Sequence, residues 1–126
     1  MNAVAIFIGG GLGSLCRFGL GKLTSSCFVS SFAFATLFSN VLSTLILALF
    51  IYGFQDKMGL NDVWKLFLIT GFCGGFSTFS TFSFETFEML KNGQTALAIV
   101  NIILNIFFII KFNYLLLIAL NFSKGK

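Results

Sequence analysis

Four stretches of this 126-residue chain, at about residues 3–21, 31–54, 66–90 and 96–121, are apolar and nearly free of charge. A hydrocarbon core of about 30 Å takes about 20 helical residues to cross, and each stretch is near or above that length. Lipid offers no water to satisfy backbone N–H and C=O groups, so a spanning segment must be a helix or part of a closed barrel. Barrel strands would alternate in polarity over about ten residues. Here the apolar runs are continuous. The sequence therefore predicts an all-α membrane protein, one domain over residues 1–126 with four transmembrane helices. The breaks between runs are short. Residues 22–30 are rich in Ser and Thr, residues 55–62 form the most polar stretch, and Lys91-Asn92-Gly93-Gln94 reads as a tight turn. No segment is long enough to make a soluble domain.

Composition narrows the function. Apolar residues make up 57% and charged residues 10% of the chain, against about 25% charged in soluble domains. The mean hydropathy of +0.98 fits lipid as the solvent. There is no His, and Asp56 and Asp62 both fall in the polar loop. A His- or carboxylate-based hydrolase is therefore not expected, and the chain is read as a non-enzyme. Cys16, Cys27 and Cys73 show no C-x-x-C spacing and read as small apolar filler. A net charge of +4, scattered along the chain, does not make a nucleic-acid surface. The first run starts directly after Met1-Asn2 without a basic segment and carries Arg17 near its far end. It reads as a retained first helix rather than a signal peptide.

Four crossings place both termini on one side, with Lys57, Lys65, Lys124 and Lys126. The other side holds Lys22, Lys91 and Arg17. Roughly four against three is a weak positive-inside bias. Two readings stand: one fixed orientation, or insertion both ways. In the second, two opposed copies would pair about an axis in the membrane plane, like the inverted repeats of transporters.

The third run contains the string GFCGGFSTFSTFSFE, residues 71–85. Adjacent glycines inside a helix cost about 1 kcal/mol each relative to Ala. They mark either an interrupted helix whose freed backbone groups line a cavity, or a close helix contact through small residues. Phe79 and Phe82 are three apart and share a helix face. With 19 Phe in the chain, lipid contact or packing is the plain reading of any one ring. The sharper reading uses the positive ring edge, which attracts a small anion without the tight hold of a full cation. Ser80 and Thr81 point elsewhere around the same turn. Thr36 and Asn40 are four apart in the second run, as are Asn101 and Asn105 in the fourth. Each pair is either interhelical glue or a polar track that replaces anion hydration. Arg17, Glu85 and Lys111 are ionisable groups near lipid, hence functional candidates. Glu85 reads as a gate, a carboxylate beside an ion path, or a partner for a basic residue. Lys111 is the hardest to place, because about ten apolar residues follow it.

Three strings carry a family resemblance: GGGLGSLCRFGL at 9–20, TLFSN at 36–40, and GFCGGFSTFSTFSFE at 71–85. Together, and with the same four-helix spacing over almost the whole chain, they resemble the small Fluc/CrcB fluoride-channel family. The resemblance implies a dual-topology antiparallel homodimer in the bacterial inner (plasma) membrane, with a break in the third helix and two narrow fluoride pathways. It implies a structural Na+ at the dimer centre, held by backbone carbonyls that match Gly74 and Ser77, and no organic cofactor. Fluoride-pathway positions match Phe79, Phe82, Asn40, Thr36, Ser80, Thr81, Asn101 and Asn105. The basic residue of the first helix matches Arg17, and the acid after the Phe pair matches Glu85. Departures are Ser43, where members often carry Gly, Ser77, where Thr is more common, and Lys111. The implied purpose is passive export: hydrogen fluoride enters as a neutral acid, dissociates in the cytoplasm, and the trapped anion leaves. Two alternatives are a small multidrug-type proton antiporter, which needs an embedded carboxylate, and a non-conducting subunit of a larger complex.

Overall fold

The computed structural model describes residues 1–27, 33–54 and 61–124. The expected start of the second run at residue 31, and most of the polar loop, lie outside them. The first helix, α1, is Asn2–Cys27, and α2 is Phe34–Leu49, continued by a wider π-helical turn over Phe50–Phe54. The third span is in two pieces. Its first piece, α3, covers residues 62–76: one α turn at Asp62–Lys65, a π-helical stretch at Leu66–Cys73, and three α residues at Gly74–Phe76. After a two-residue break comes α4, Phe79–Lys91, and then α5, Thr95–Lys124. Four helical spans are long and apolar enough to cross a membrane: Asn2–Cys27, Phe34–Tyr52, Asp62–Lys91 and Thr95–Phe122. The chain is a multi-pass membrane protein.

Local chemistry explains the ends. The first helix runs beyond residue 21 into the Ser/Thr-rich stretch because those hydroxyls bond back onto it. Thr24 donates to the Leu20 and Gly21 carbonyls, and Ser25 and Ser26 donate to that of Lys22. Asn61 caps α3, its side chain accepting the Trp64 N–H at 3.2 Å. The α4–α5 turn closes with Gly93 at φ +74°. There the Gln94 N–H reaches the Met89 carbonyl, and the Gly93 N–H that of Leu90, the paired bonds of a Schellman cap.

The glycines set the packing of α1 against α3. A Cβ on Gly71 would stand 2.9 Å from the Ile6 carbonyl oxygen and 3.0 Å from the Gly9 Cα. Cβ atoms on Gly9, Gly13 and Gly75 would overlap the carbonyls of Phe67, Phe72 and Gly10. The two backbones touch, as small residues allow in membranes. On the other side, α2 packs on α5 and on α1, and α4 packs on α5. Ala33, Met89 and Ala98 form a small apolar cluster where these elements meet. Large apolar side chains such as Phe7, Phe79, Ile103 and Ile110 stay exposed, as expected where lipid or another helix is the neighbour.

Candidate functional site

The glycine pair and the break turn out to be separate features. Both Gly74 and Gly75 are helical, and the chain leaves the helix at Ser77 (ψ 157°) and Thr78 (φ −153°). Gly75 serves the contact with α1, whereas nothing lies within 4 Å of a Cβ on Gly74. The two readings of the glycines thus divide between neighbouring residues: close packing at Gly75, an opened backbone just past Gly74.

Asn40 holds the break open. In an unbroken helix the Thr78 N–H would donate to the Gly74 carbonyl. Instead it donates to Asn40 Oδ1 at 2.8 Å, so the Gly74 carbonyl loses its helical partner. Asn40 Nδ2 faces the Thr78 carbonyl at 3.5 Å and donates to Asn105 Oδ1 at 3.2 Å. The chain of bonds goes on through the buried interior. Asn105 Nδ2 donates to Asn101 Oδ1 (3.1 Å), Asn101 Nδ2 to Thr86 Oγ1 (3.0 Å), and Thr86 Oγ1 to the Phe82 carbonyl (2.8 Å). Asn101 and Asn105 are 0% and 3% exposed, where an unbonded amide would cost several kcal/mol in lipid. As the structure stands, these amides tie α2, α4 and α5 together.

Above the break, the Cys73 carbonyl accepts from Ser43 Oγ (2.7 Å), from Ser77 Oγ (3.0 Å) and from the Ser77 N–H (3.0 Å). Ser43, singled out as a departure from the family pattern, is therefore a bond across helices. Below the break, Thr78 caps α4 by accepting the Thr81 N–H at 3.1 Å. Its hydroxyl also meets Ser80 Oγ at 3.2 Å and donates to Thr81 Oγ1 at 2.9 Å. One hydroxyl donates one hydrogen and accepts through two lone pairs. With Thr78 donating to Thr81, Ser80 donates to Thr78, and the Thr81 hydroxyl keeps a free hydrogen. Thr81 and Ser80 are both exposed.

Phe79 and Phe82 lie on the same side of the first turn of α4, ring centroids 5.8 Å apart and planes tilted by 44°. Phe82 is half-buried, while Phe79 is 79% exposed. The break, the free Thr81 hydroxyl, the Phe79 ring and Gly74 are thus gathered in one short segment, with the last three exposed. Thr36 is buried on α2 and donates to Glu85 Oε1 at 2.9 Å. The second Glu85 oxygen is buried without a partner. A cavity of about 240 Å³ lined by Glu85, Glu88, Met89 and Gln94 opens beside it. Among the described residues the ion pairs are Lys65–Asp62 and Lys91–Glu88, so neither Arg17 nor Lys111 pairs with Glu85. Sequence reasoning missed Thr78 and Thr86. Thr78 had a signal, a hydroxyl directly before a helical run in the manner of an N-cap. Thr86 had none beyond its place one turn after Phe82.

A family model described as "CrcB-like protein, Camphor Resistance (CrcB)" matches residues 4–117. The chain belongs to this family. Curated relatives of the CrcB family named "Fluoride-specific ion channel FluC" cover most of it. That of Pyrococcus horikoshii is 42% identical over 110 residues, 84% of this chain and 87% of the relative. That of Pyrococcus abyssi is 39% identical over 109 residues, covering 83% and 84%. That of Sulfurihydrogenibium sp. is 33% identical over 102 residues, covering 81% and 82%. The match to the CrcB model takes in α1 to α4, including the break, the Phe pair and Asn40, and most of α5.

Proposed function

We propose that this protein is a passive fluoride-selective channel of the inner (plasma) membrane, working as an antiparallel homodimer that lets cytoplasmic fluoride leave. The carrying observation is the opened segment at residues 74–82. There a helix break held by Asn40 puts the Phe79 and Phe82 rings beside a hydroxyl with a free hydrogen, in a chain with channel relatives.

Chemistry supports each part of that reading. A bare fluoride ion needs its hydration replaced by weak, well-placed donors, because a fixed cation would hold it too tightly to conduct. Ring edges and a Thr81 O–H are donors of that weak kind. A second copy over the exposed Phe79 would narrow the surface groove into a path. Asn40 and Thr36 would line it from α2, Asn105 and Asn101 would set its inner wall, and Glu85 would stand at its end beside the 240 Å³ cavity.

The residues also fit a structural Na+ between two copies. Main-chain carbonyl oxygen, as an opened helix can offer, is a donor that suits a hard cation. Gly74 is exposed, and its carbonyl is released from helical bonding by the Asn40–Thr78 bond. The Gly74 and Ser77 carbonyls would hold the ion, and its charge would tie the two breaks together.

The test is fluoride efflux from potassium-loaded proteoliposomes on adding valinomycin, read by a fluoride electrode with a chloride control. Rapid loss of fluoride alone is expected. Loss of neither ion from verified folded dimers would overturn the channel reading and favour an antiporter or a non-conducting subunit.

A further inference from the structure

Two neighbouring carbonyls at the end of α3 meet opposite surroundings. The Cys73 oxygen has two lone pairs and faces three donors: the Ser43 hydroxyl at 2.7 Å, and the hydroxyl and N–H of Ser77, both at 3.0 Å. It is saturated. The Gly74 oxygen beside it has lost its helical donor to Asn40. Ser43 is buried on α2 and has no part in the fluoride pathway above.

Ser43 and Asn40 are three apart on α2 and share a face. Ser43 donates to the Cys73 carbonyl, and Asn40 accepts the Thr78 N–H. Residues 74–77 are therefore bracketed by two side chains of one helix. The Gly74 and Ser77 carbonyls, proposed above as cation ligands, both lie inside the bracket. The segment needs such support because it begins with two glycines, which have the most backbone freedom to lose on ordering. Gly75 is pressed on the Gly10 backbone. Gly74 has nothing within 4 Å of a Cβ, so it is steadied through its neighbour Cys73.

We propose that Ser43 is a positioning residue for the cation site: by tying down the Cys73 carbonyl and the end of α3, it presents the Gly74 carbonyl already aligned for Na+. The inference rests on the Na+ reading above. Ser43 does not touch the ion. It raises the share of molecules whose ligands are aligned, and apparent affinity falls in proportion when that share drops. One interhelical bond in a membrane is worth about threefold on average, and up to about 20-fold, in such an equilibrium.

The test is reversible unfolding of the full chain in mixed detergent, at fixed protein concentration, as Na+ is raised and N-methylglucamine keeps the ionic strength constant. The single Trp, Trp64 in the first turn of α3, reports the transition by fluorescence. An ion that binds only the folded protein raises the midpoint, and the Na+ concentration at which the rise sets in measures the affinity. Ser43→Ala should move that onset about 3- to 20-fold higher. Ser43→Cys, with a thiol as a weaker donor, should move it less. Ser39→Ala removes a fully buried α2 hydroxyl that has no hydrogen-bond partner, and should leave the onset in place. A Ser43→Ala midpoint lowered equally at every Na+ concentration, with the onset unmoved, would make Ser43 a structural tie only and overturn the proposal. An equal shift from Ser39→Ala would overturn it too. A parent protein whose midpoint ignores Na+ would overturn the Na+ reading itself, and the role of Ser43 with it, a failure distinct from the other two.

Discussion

Asn40→Leu is the sharpest test of how the break is held. The substitution keeps the branched side-chain shape, with two methyls in place of the amide O and N. It deletes two close interhelical bonds, one from the Thr78 N–H at 2.8 Å and one to Asn105 Oδ1 at 3.2 Å, together with the 3.5 Å contact to the Thr78 carbonyl. Interhelical bonds in membranes are worth about 0.6 kcal/mol on average and up to about 1.7. Two of them give about 1–3 kcal/mol, or roughly fivefold to 150-fold in the folding equilibrium. The released Thr78 N–H would be free to return to the Gly74 carbonyl and close the helix, so fluoride flux should fall at least as steeply. Unfolding in a mixed-detergent titration, followed by helicity, reads the stability. A double-mutant cycle with Asn105→Leu isolates the shared bond, and the pair should be less destabilised than the sum of the singles. An Asn40→Leu protein within about 0.3 kcal/mol of the parent, additive with Asn105→Leu and conducting normally, would refute the role given to this amide.

Three further outcomes are expected. Thr81→Val should cut fluoride flux about tenfold, and Thr81→Ser should restore it. The Val variant also removes the acceptor of the Thr78 hydroxyl, so its unfolding should shift by about 1 kcal/mol while that of Thr81→Ser stays unchanged; efflux rates and detergent titrations together check this, since about 1.4 kcal/mol of lost stabilisation is a factor of ten. Phe79→Ile or Phe82→Ile should impair flux while leaving the assembly intact on cross-linking and size-exclusion analysis; unchanged flux in both would remove the ring edges from the mechanism. Gly9→Ala should destabilise the fold by about 1–3 kcal/mol, because its methyl meets the Phe67 carbonyl. Gly11→Ala, with nothing within 4 Å, should instead stabilise the helix by up to about 1 kcal/mol in the same titration.

The sequence showed the architecture through a signal that lipid makes strong. Long uncharged runs admit few solutions, and four spanning helices follow from run length alone. Helix ends were less legible. The first helix absorbs Thr24, Ser25 and Ser26 because their hydroxyls bond to its own carbonyls, a choice that composition does not reveal. Residue spacing put Phe79 and Phe82 on one face, as the structure does. It could not say which Asn atoms meet across helices, because Asn40 and Asn105 are 65 positions apart. The glycine pair shows the limit most clearly. Cost and spacing marked it as special, yet only the packing separates Gly75, pressed on α1, from Gly74, turned outward beside the break.

The close α1–α3 seam has a mechanical consequence. Where backbones meet without intervening side chains there is little rotamer freedom to absorb sliding, so α3 is anchored to α1 by its glycines. Past Thr78 the same span answers to different neighbours: α4 is tied to α2 and α5 through Asn40, Asn101 and Thr86. One crossing of the membrane thus changes its main neighbours at Ser77 and Thr78, while α2 reaches both pieces: Ser43 donates to the Cys73 carbonyl above the break and Asn40 accepts the Thr78 N–H below it. Because α2 also packs on α1, the break is braced from the side, and a push on either piece is passed to the other through α2 rather than absorbed at the two open residues.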